Sequence, residues 1–222
     1  MINFSQEIYR VVNLGLDELA QSQQLGKTPK NPLSESHFFS VWITKGLKQH
    51  RFERCVVATL KNWQRQARTM GVQAQLKQQF EGIAQTYIKI LKAQPDNNLF
   101  EATQCSPVER KSLEVMLDEL LKGDWQLIDD ALIKRKLTVK VATTNSMVIC
   151  VEKLKQVFDA TGQLTKPLSL YVRGDYQGLI DLCHSHNLLL HKVSDYKSLV
   201  KFHGEYIIFP DNNGTDLPCI IT

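Results

Sequence analysis

Residues 36–80 carry eight Lys and Arg (Lys45, Lys48, Arg51, Arg54, Lys61, Arg65, Arg68 and Lys77) against a single acid, Glu53. The whole chain has a net charge of only +4, so this segment is far more basic than the protein that contains it. Counted as one helix from Phe52, the cations Arg54, Lys61, Arg65 and Arg68 fall within about 60° of one another. They lie opposite an apolar stripe of Phe52, Val56, Leu60, Trp63, Ala67 and Met70. At ~1.5 Å per residue the row is ~21 Å long. Arg51 sits at its edge, and Lys45 and Lys48 precede it.

A line of cations recognises anions; it does not make or break bonds. Like charges at i,i+4, such as Lys61 and Arg65, cost a helix a few tenths of a kcal/mol, so the row needs an offsetting partner. A phosphate backbone supplies one and releases counterions when it is neutralised. Arginine adds bidentate geometry for phosphate. The leading expectation is a non-enzymatic binding or regulatory protein that contacts nucleic acid through Arg54, Lys61, Arg65 and Arg68, flanked by Arg51, Lys45 and Lys48. Contacts of this kind hold a backbone and carry no base preference. An adaptor that pairs the same face with an acidic protein is the alternative. The row can also dock on the chain's own acids, for which Glu114, Asp118, Glu119, Asp124, Asp129 and Asp130 are candidates. Trp42, Phe52 and Trp63 fall on core faces and are read as packing rather than as a stacking platform.

A second set of residues suits a small anion. In a parallel α/β sheet, ligands sit beyond the carboxyl ends of the strands. Those ends are expected at Thr143–Ser146, Arg173–Asp175 and Ser194–Asp195, which puts Thr144, Ser146, Arg173, Asp175 and Asp195 around one rim. An anion binder or enzyme at this rim is a further alternative. The plainer role for Ser, Thr and Asp before a helix is N-capping, and Arg173-Gly174-Asp175 reads as a strand-to-helix turn. Neither a G-x-G-x-x-G nor a phosphate-loop pattern occurs, so no cofactor is expected.

Cys183, His184 and His186, with His191 and His203 after them, match neither structural nor catalytic zinc spacing, and no metal is expected. The stretch Asp211-Asn212-Asn213-Gly214-Thr215-Asp216 lacks the later Glu of a calcium loop and reads as a turn. Five scattered cysteines (Cys55, Cys105, Cys150, Cys183 and Cys219) form no disulfide framework. No run of roughly 18 apolar residues is present for a membrane span, and the first residues do not pattern as a signal peptide. A cytoplasmic protein without a membrane partner is expected.

The elements that must position these residues change character along the chain. Phe4, Ile8, Val11, Val12, Gly15, Leu16 and Leu19 predict a first helix, ended by Gly26, Pro29 and Pro32. Ser34 and Ser36 are candidate caps for a second, whose stripe is Phe38, Phe39, Trp42, Ile43 and Leu47. The stripe beginning at Phe52 is rotated by roughly 80° from it, which predicts a break near 48–52, and Gly71 closes the third helix. Leu76, Phe80, Ile83, Ala84, Tyr87, Ile90 and Leu91 give a fourth, ended by Pro95-Asp96-Asn97-Asn98. Ser106-Pro107-Val108-Glu109 reads as a capping box for a fifth, with Gly123 at its end.

Beyond about residue 124 a short helical stretch over Trp125–Ile133 leads to a strand at 137–142. Helix at 146–160, strand at 168–172, helix at 175–186 and strand at 188–193 follow. A short helix at 195–203 and strands at 205–209 and 219–221 complete the chain. This alternation predicts an N-terminal helical bundle over 1–123, followed by a small α/β domain over 124–222 with a mostly parallel sheet.

The segments Asn31-Pro32-Leu33-Ser34-Glu35-Ser36-His37-Phe38 and Lys48-Gln49-His50-Arg51-Phe52-Glu53-Arg54-Cys55 resemble an uncharacterised bacterial domain-of-unknown-function family of about this length. The resemblance is strongest over residues 1–90. It implies a bacterial, cytoplasmic protein and brings no assigned chemistry with it.

Overall fold

A computed structural model describes residues 3–92 and 106–222. The chain divides into two compact units, Met1–Thr103 and Gln104–Thr222.

The first unit is helical. Helix α1 (Phe4–Gln24) opens on a capping box in which the Asn3 side chain accepts from the Gln6 amide at 2.8 Å, and Gln6 reaches back to the Asn3 amide. Helix α2 (Pro32–Lys48) is capped by Asn31, with Pro32 at its first position. The expected caps Ser34 and Ser36 lie inside the helix instead, and Ser36 donates its hydroxyl to the Gly71 carbonyl at 2.9 Å. The expected break follows at Gln49–Glu53, where His50 takes a left-handed φ of 52°. Gly46 makes this corner fit, because a Cβ there would lie 2.1 Å from the Phe52 ring. A 3-10 turn (Arg54–Val56) then leads into α3 (Val57–Met70), which Gly71 ends with φ 54°. Helix α4 (Leu76–Lys92) closes the unit.

Apolar residues one turn apart face inward on all four helices. Phe39 and Trp63 both pack against Phe80, with ring centroids 4.6 and 4.7 Å away, and Trp42 meets Phe52 at 5.3 Å. Trp42, Phe52 and Trp63 are all buried, as their spacing predicts. The Ile90 and Leu91 side chains, the turn at 95–98 and Cys105 lie outside the described residues.

The second unit begins with α5 (Arg110–Lys122). The helix does not begin within Ser106–Glu109 as expected. Helix α5 starts at Arg110, after Glu109 has paired with Gln163 in an isolated β-bridge, and Gly123 is extended rather than left-handed. The sheet comprises β1 (Trp125–Ala131), β2 (Asn145–Cys150), β3 (Leu168–Arg173), β4 (His191–Ser194) and β5 (Gly204–Ile208) in the order β1-β2-β3-β5-β4. It is mixed, and mostly antiparallel rather than mostly parallel, because only β1 and β2 run together. Helices α6 (Val151–Gln156) and α7 (Tyr176–Ser185) complete the unit.

Several segments of this unit depart from the expected pattern. Residues 125–131 form a strand rather than a helix, and 145–150 are a strand before a helix of only six residues. Residues 137–142 contribute one bridge, Leu137 to Val200, while 195–203 and 219–221 are irregular. Leu113, Met116 and Leu120 of α5 join Leu179 and Cys183 of α7 over one face of the sheet, against Met147, Ile149, Leu170 and Val172. Val148 and Tyr171 face the other way, toward Val200, Ile133 and Val139. No helix among the described residues is long and apolar enough to cross a membrane.

Candidate functional site

Helix α3 is anchored by Leu60, Trp63 and Ala67, so its opposite face is solvent. Lys61, Arg65 and Arg68 are exposed there. Arg54 is exposed as well, but it projects from the preceding 3-10 turn, so the continuous row on the α-helix itself is Lys61–Arg65–Arg68. Helix α2 packs beside it, fixed by Gln64 Nε2 donating to Thr44 Oγ1 at 2.8 Å. This pairing brings Lys45 and Lys48 of α2 together with Arg68 of α3 around a cavity of about 430 Å³. Five of the expected contact residues therefore share one surface.

Three acids of this unit, Glu7, Glu18 and Glu35, are committed elsewhere. Glu7 binds Arg10 at 2.6 Å and accepts from the Glu53 amide at 3.0 Å. Glu35 binds Lys77 at 2.9 Å. Glu18 binds Arg51 and accepts from the Trp42 indole at 2.7 Å. The Arg51 hydrogen bond, followed by the indole contact, holds the Glu18 carboxyl below its ordinary range despite partial burial. Arg51, whose guanidinium also lies 5.7 Å from the Trp42 ring centroid, is thus neutralised by its own molecule. Among the described residues of this unit, no carboxylate lies within 4 Å of Arg54, Lys61, Arg65, Arg68, Lys45 or Lys48. Among the described residues the Arg65 side chain reaches the neutral Asn62, at 2.8 Å.

The second set of residues meets at one end of the sheet, though by another route than expected. Asn145 and Ser146 begin β2, and antiparallel pairing sets Ser146 opposite Arg173 at the end of β3. The β3–β5 and β5–β4 pairings bring Gly204 and Ser194 to the same end. Asp175 caps α7 by accepting from the Gly178 amide at 3.0 Å, and its own amide donates to Asn145 Oδ1 at 3.0 Å. Asp195 pairs with Lys192. Thr144 and Arg173 are exposed.

Ser146 is fully buried, 3.0 Å from His203 Nε2. His203 Nδ1 faces the Lys201 carbonyl, an acceptor only, at 2.9 Å. The proton therefore sits on Nδ1, and Nε2 accepts from the serine hydroxyl. Burial lowers the His203 pKa against the opposing bond to the Lys201 carbonyl, with a smaller lowering from Arg173. This is a serine beside an oriented base, the arrangement of an activated nucleophile. Both residues are sealed from solvent, so the pair serves as a core hydrogen bond. The two residues lie 57 positions apart, so no motif or local spacing joins them in the sequence.

The remaining candidates are structural. Cys183 is buried in the core, which raises its thiol pKa, and burial pushes Cys219 up to about 11. His186 meets Glu119 at 2.8 Å. Asn212, in the 3-10 turn Pro210–Asn212, accepts from the Leu189 amide at 2.8 Å and donates to the Asn187 carbonyl at 2.7 Å, so this stretch is a plug in the fold. Among the described residues no three His, Cys, Asp or Glu side chains are grouped to hold a metal.

A family model described as a protein of unknown function (DUF2913) matches residues 3–221. No curated protein and no solved structure matches the chain.

Proposed function

The chain belongs to the DUF2913 family, and we propose that it is a non-enzymatic binding or regulatory protein that engages nucleic-acid backbone through the α3 face. The contacts are assigned to Lys61, Arg65 and Arg68, with Arg54, Lys45 and Lys48 beside them. One observation carries this reading: the cations are exposed while the unit's own Glu7, Glu18 and Glu35 are bound to other partners. Exposed like charges on a helix weaken it slightly and add nothing to packing, so their clustering is accounted for by an external polyanion. The same reading assigns a bacterial, cytoplasmic setting. The free thiols Cys55, Cys150, Cys183 and Cys219 suit a reducing compartment, and the family resemblance points to bacteria.

The test replaces Arg54, Lys61, Arg65 and Arg68 together by Glu and measures binding to a labelled 20-mer oligonucleotide. The wild-type chain is expected to bind with log K falling steeply with log salt, a slope of roughly −4 to −5 for six cations at 0.7–0.9 each. The variant is expected to lose binding while keeping its circular dichroism and melting temperature within a few degrees. Salt-independent binding, or an unchanged affinity in the variant, overturns the proposal. Capture of an acidic protein from nuclease-treated lysate, with no oligonucleotide binding, transfers the face to an adaptor.

A further inference from the structure

Lys45 lines two cavities at once. On one side of α2 it shares the 430 Å³ space with Lys48 and Arg68; on the other it borders a larger groove of about 810 Å³ against the α1–α2 connection. Val41 and Gln49 also belong to both, so a single ridge of α2 separates them. The larger groove falls within the 300–1,000 Å³ typical of ligand sites. Its wall includes Leu33, Phe38 and Val41, and it leaves apolar surface open to solvent: Leu33 is 70% exposed and Val41 51%. Glu18 and Arg51 cancel one another there, which leaves Lys27 and Lys45 to give the groove positive character. The Trp42 indole N–H is already held by Glu18, so Trp42 brings an apolar face and no donor.

The occupant that matches this surface must present an anionic group to Lys45, Lys48 and Arg68 and a flat, weakly polar group to Phe38 and Val41 across the same ridge. A duplex cannot do so, because its bases are stacked and paired inside the phosphate cylinder. A single strand offers a free base beside every phosphate, and bases stack on aromatic and apolar side chains with little sequence preference. We infer that the polyanion of the α3 face is single-stranded nucleic acid, with an unpaired base seated in the groove and its phosphates on Lys45, Lys48 and Arg68. This inference rests on the backbone-binding reading and specifies its substrate class.

The experiment uses the full chain and labelled 20-mers of one length: single-stranded DNA, the same sequence as RNA, duplex DNA, and an abasic strand that keeps the phosphates. One of the two single strands is expected to bind about tenfold or more tightly than both the duplex and the abasic strand. The double substitution Leu33→Gln with Val41→Gln, at exposed positions and without change of charge, is expected to erase that preference while duplex and abasic binding stay the same. Equal affinity for single strand, duplex and abasic strand, all lost on reversing the α3 charges, overturns the inference and leaves backbone binding standing. Absence of binding to every probe overturns both. If light scattering shows a dimer that the double substitution dissociates, with no change in strand preference, the groove belongs to a second copy of the chain and the inference falls.

Discussion

The α3 face and the Ser146–Arg173 end of the sheet both gather side chains with chemical capacity, yet they spend it in opposite ways. At the sheet end Asn145 holds the Asp175 amide, Asp175 holds Gly178, Ser146 holds His203, and Asp195 holds Lys192. Ser146 and His203 are buried, and leaving either unpaired would cost about 1–3 kcal/mol; the other bonds are exposed and serve to cap α7, to tie the start of β2 to the β3–α7 turn and to form a surface ion pair. On α3 no such debt exists. Exposed ion pairs are worth about 0–1 kcal/mol at most, and Lys61, Arg65 and Arg68 make none within their unit's described residues. Proximity of capable residues therefore does not define a site; capacity left unused by the fold is the better marker.

The sharpest test of this contrast reverses charge in both places. Arg65→Glu with Arg68→Glu is expected to weaken binding of a labelled single strand by roughly a hundredfold in low salt and to flatten the salt slope by about 1.5. Arg173→Glu, at another exposed arginine, is expected to leave affinity within about twofold. Comparable losses from both variants would mean that net charge alone drives binding, and the contrast would collapse.

How far this contrast was legible in the sequence differs between the units. The helices of the first unit were readable because each buries one face: Ile8, Val11, Val12 and Leu19 keep helical spacing, and the rotated stripe after Phe52 disclosed the corner at His50 without any Gly or Pro to mark it. The sheet was harder. Met147, Val148, Ile149 and Cys150 are all buried because the two faces of β2 are both covered, so the alternation that announces a strand is missing. In β1 the residues from Trp125 to Ile128 are all half-buried, and their spacing with Leu132 and Ile133 imitates a helix. The β3–α7–β4 alternation is real, but β5 inserts between its two strands and turns a parallel pattern antiparallel. For the candidate site, the charge row was legible because side-chain direction on a helix follows from spacing. The groove beside Lys45 was not, because it depends on where the α1–α2 connection lies.

Acid separates the two regions by a different route. His191 is buried with neither ring nitrogen partnered, and burial pushes its pKa down to about 4 from an ordinary 6.5, against the weaker opposing influence of nearby backbone and Asp216. Between those values the unfolded chain binds a proton that the folded one refuses. The stability this contributes is complete above about pH 6.5 and is lost as pH falls toward 4, by about 2 kcal/mol between pH 7 and 5. Urea unfolding at the two pH values measures it, and His191→Leu is expected to reduce the difference, with buried His203 contributing in the same direction to what is left. Lys and Arg do not titrate in this window, so the α3 row keeps its full charge in the folded chain. An unchanged pH dependence in the variant would show that His191 is not the group responsible.

The smallest effect is expected where a site residue only caps a helix. Asp175→Ala removes the acceptor for the Gly178 amide at the start of α7 and is expected to lower stability by about 1 kcal/mol. Asp175→Asn keeps an acceptor oxygen and is expected to restore most of the loss, because capping needs the oxygen more than the charge. A carboxylate that instead served an anion-binding or catalytic rim beside Arg173 would behave differently: Asn would fail as badly as Ala in a ligand assay while leaving the melting temperature untouched. Thermal unfolding of the two variants side by side therefore decides whether this end of the sheet belongs, with the rest of its hydrogen bonds, to the fold.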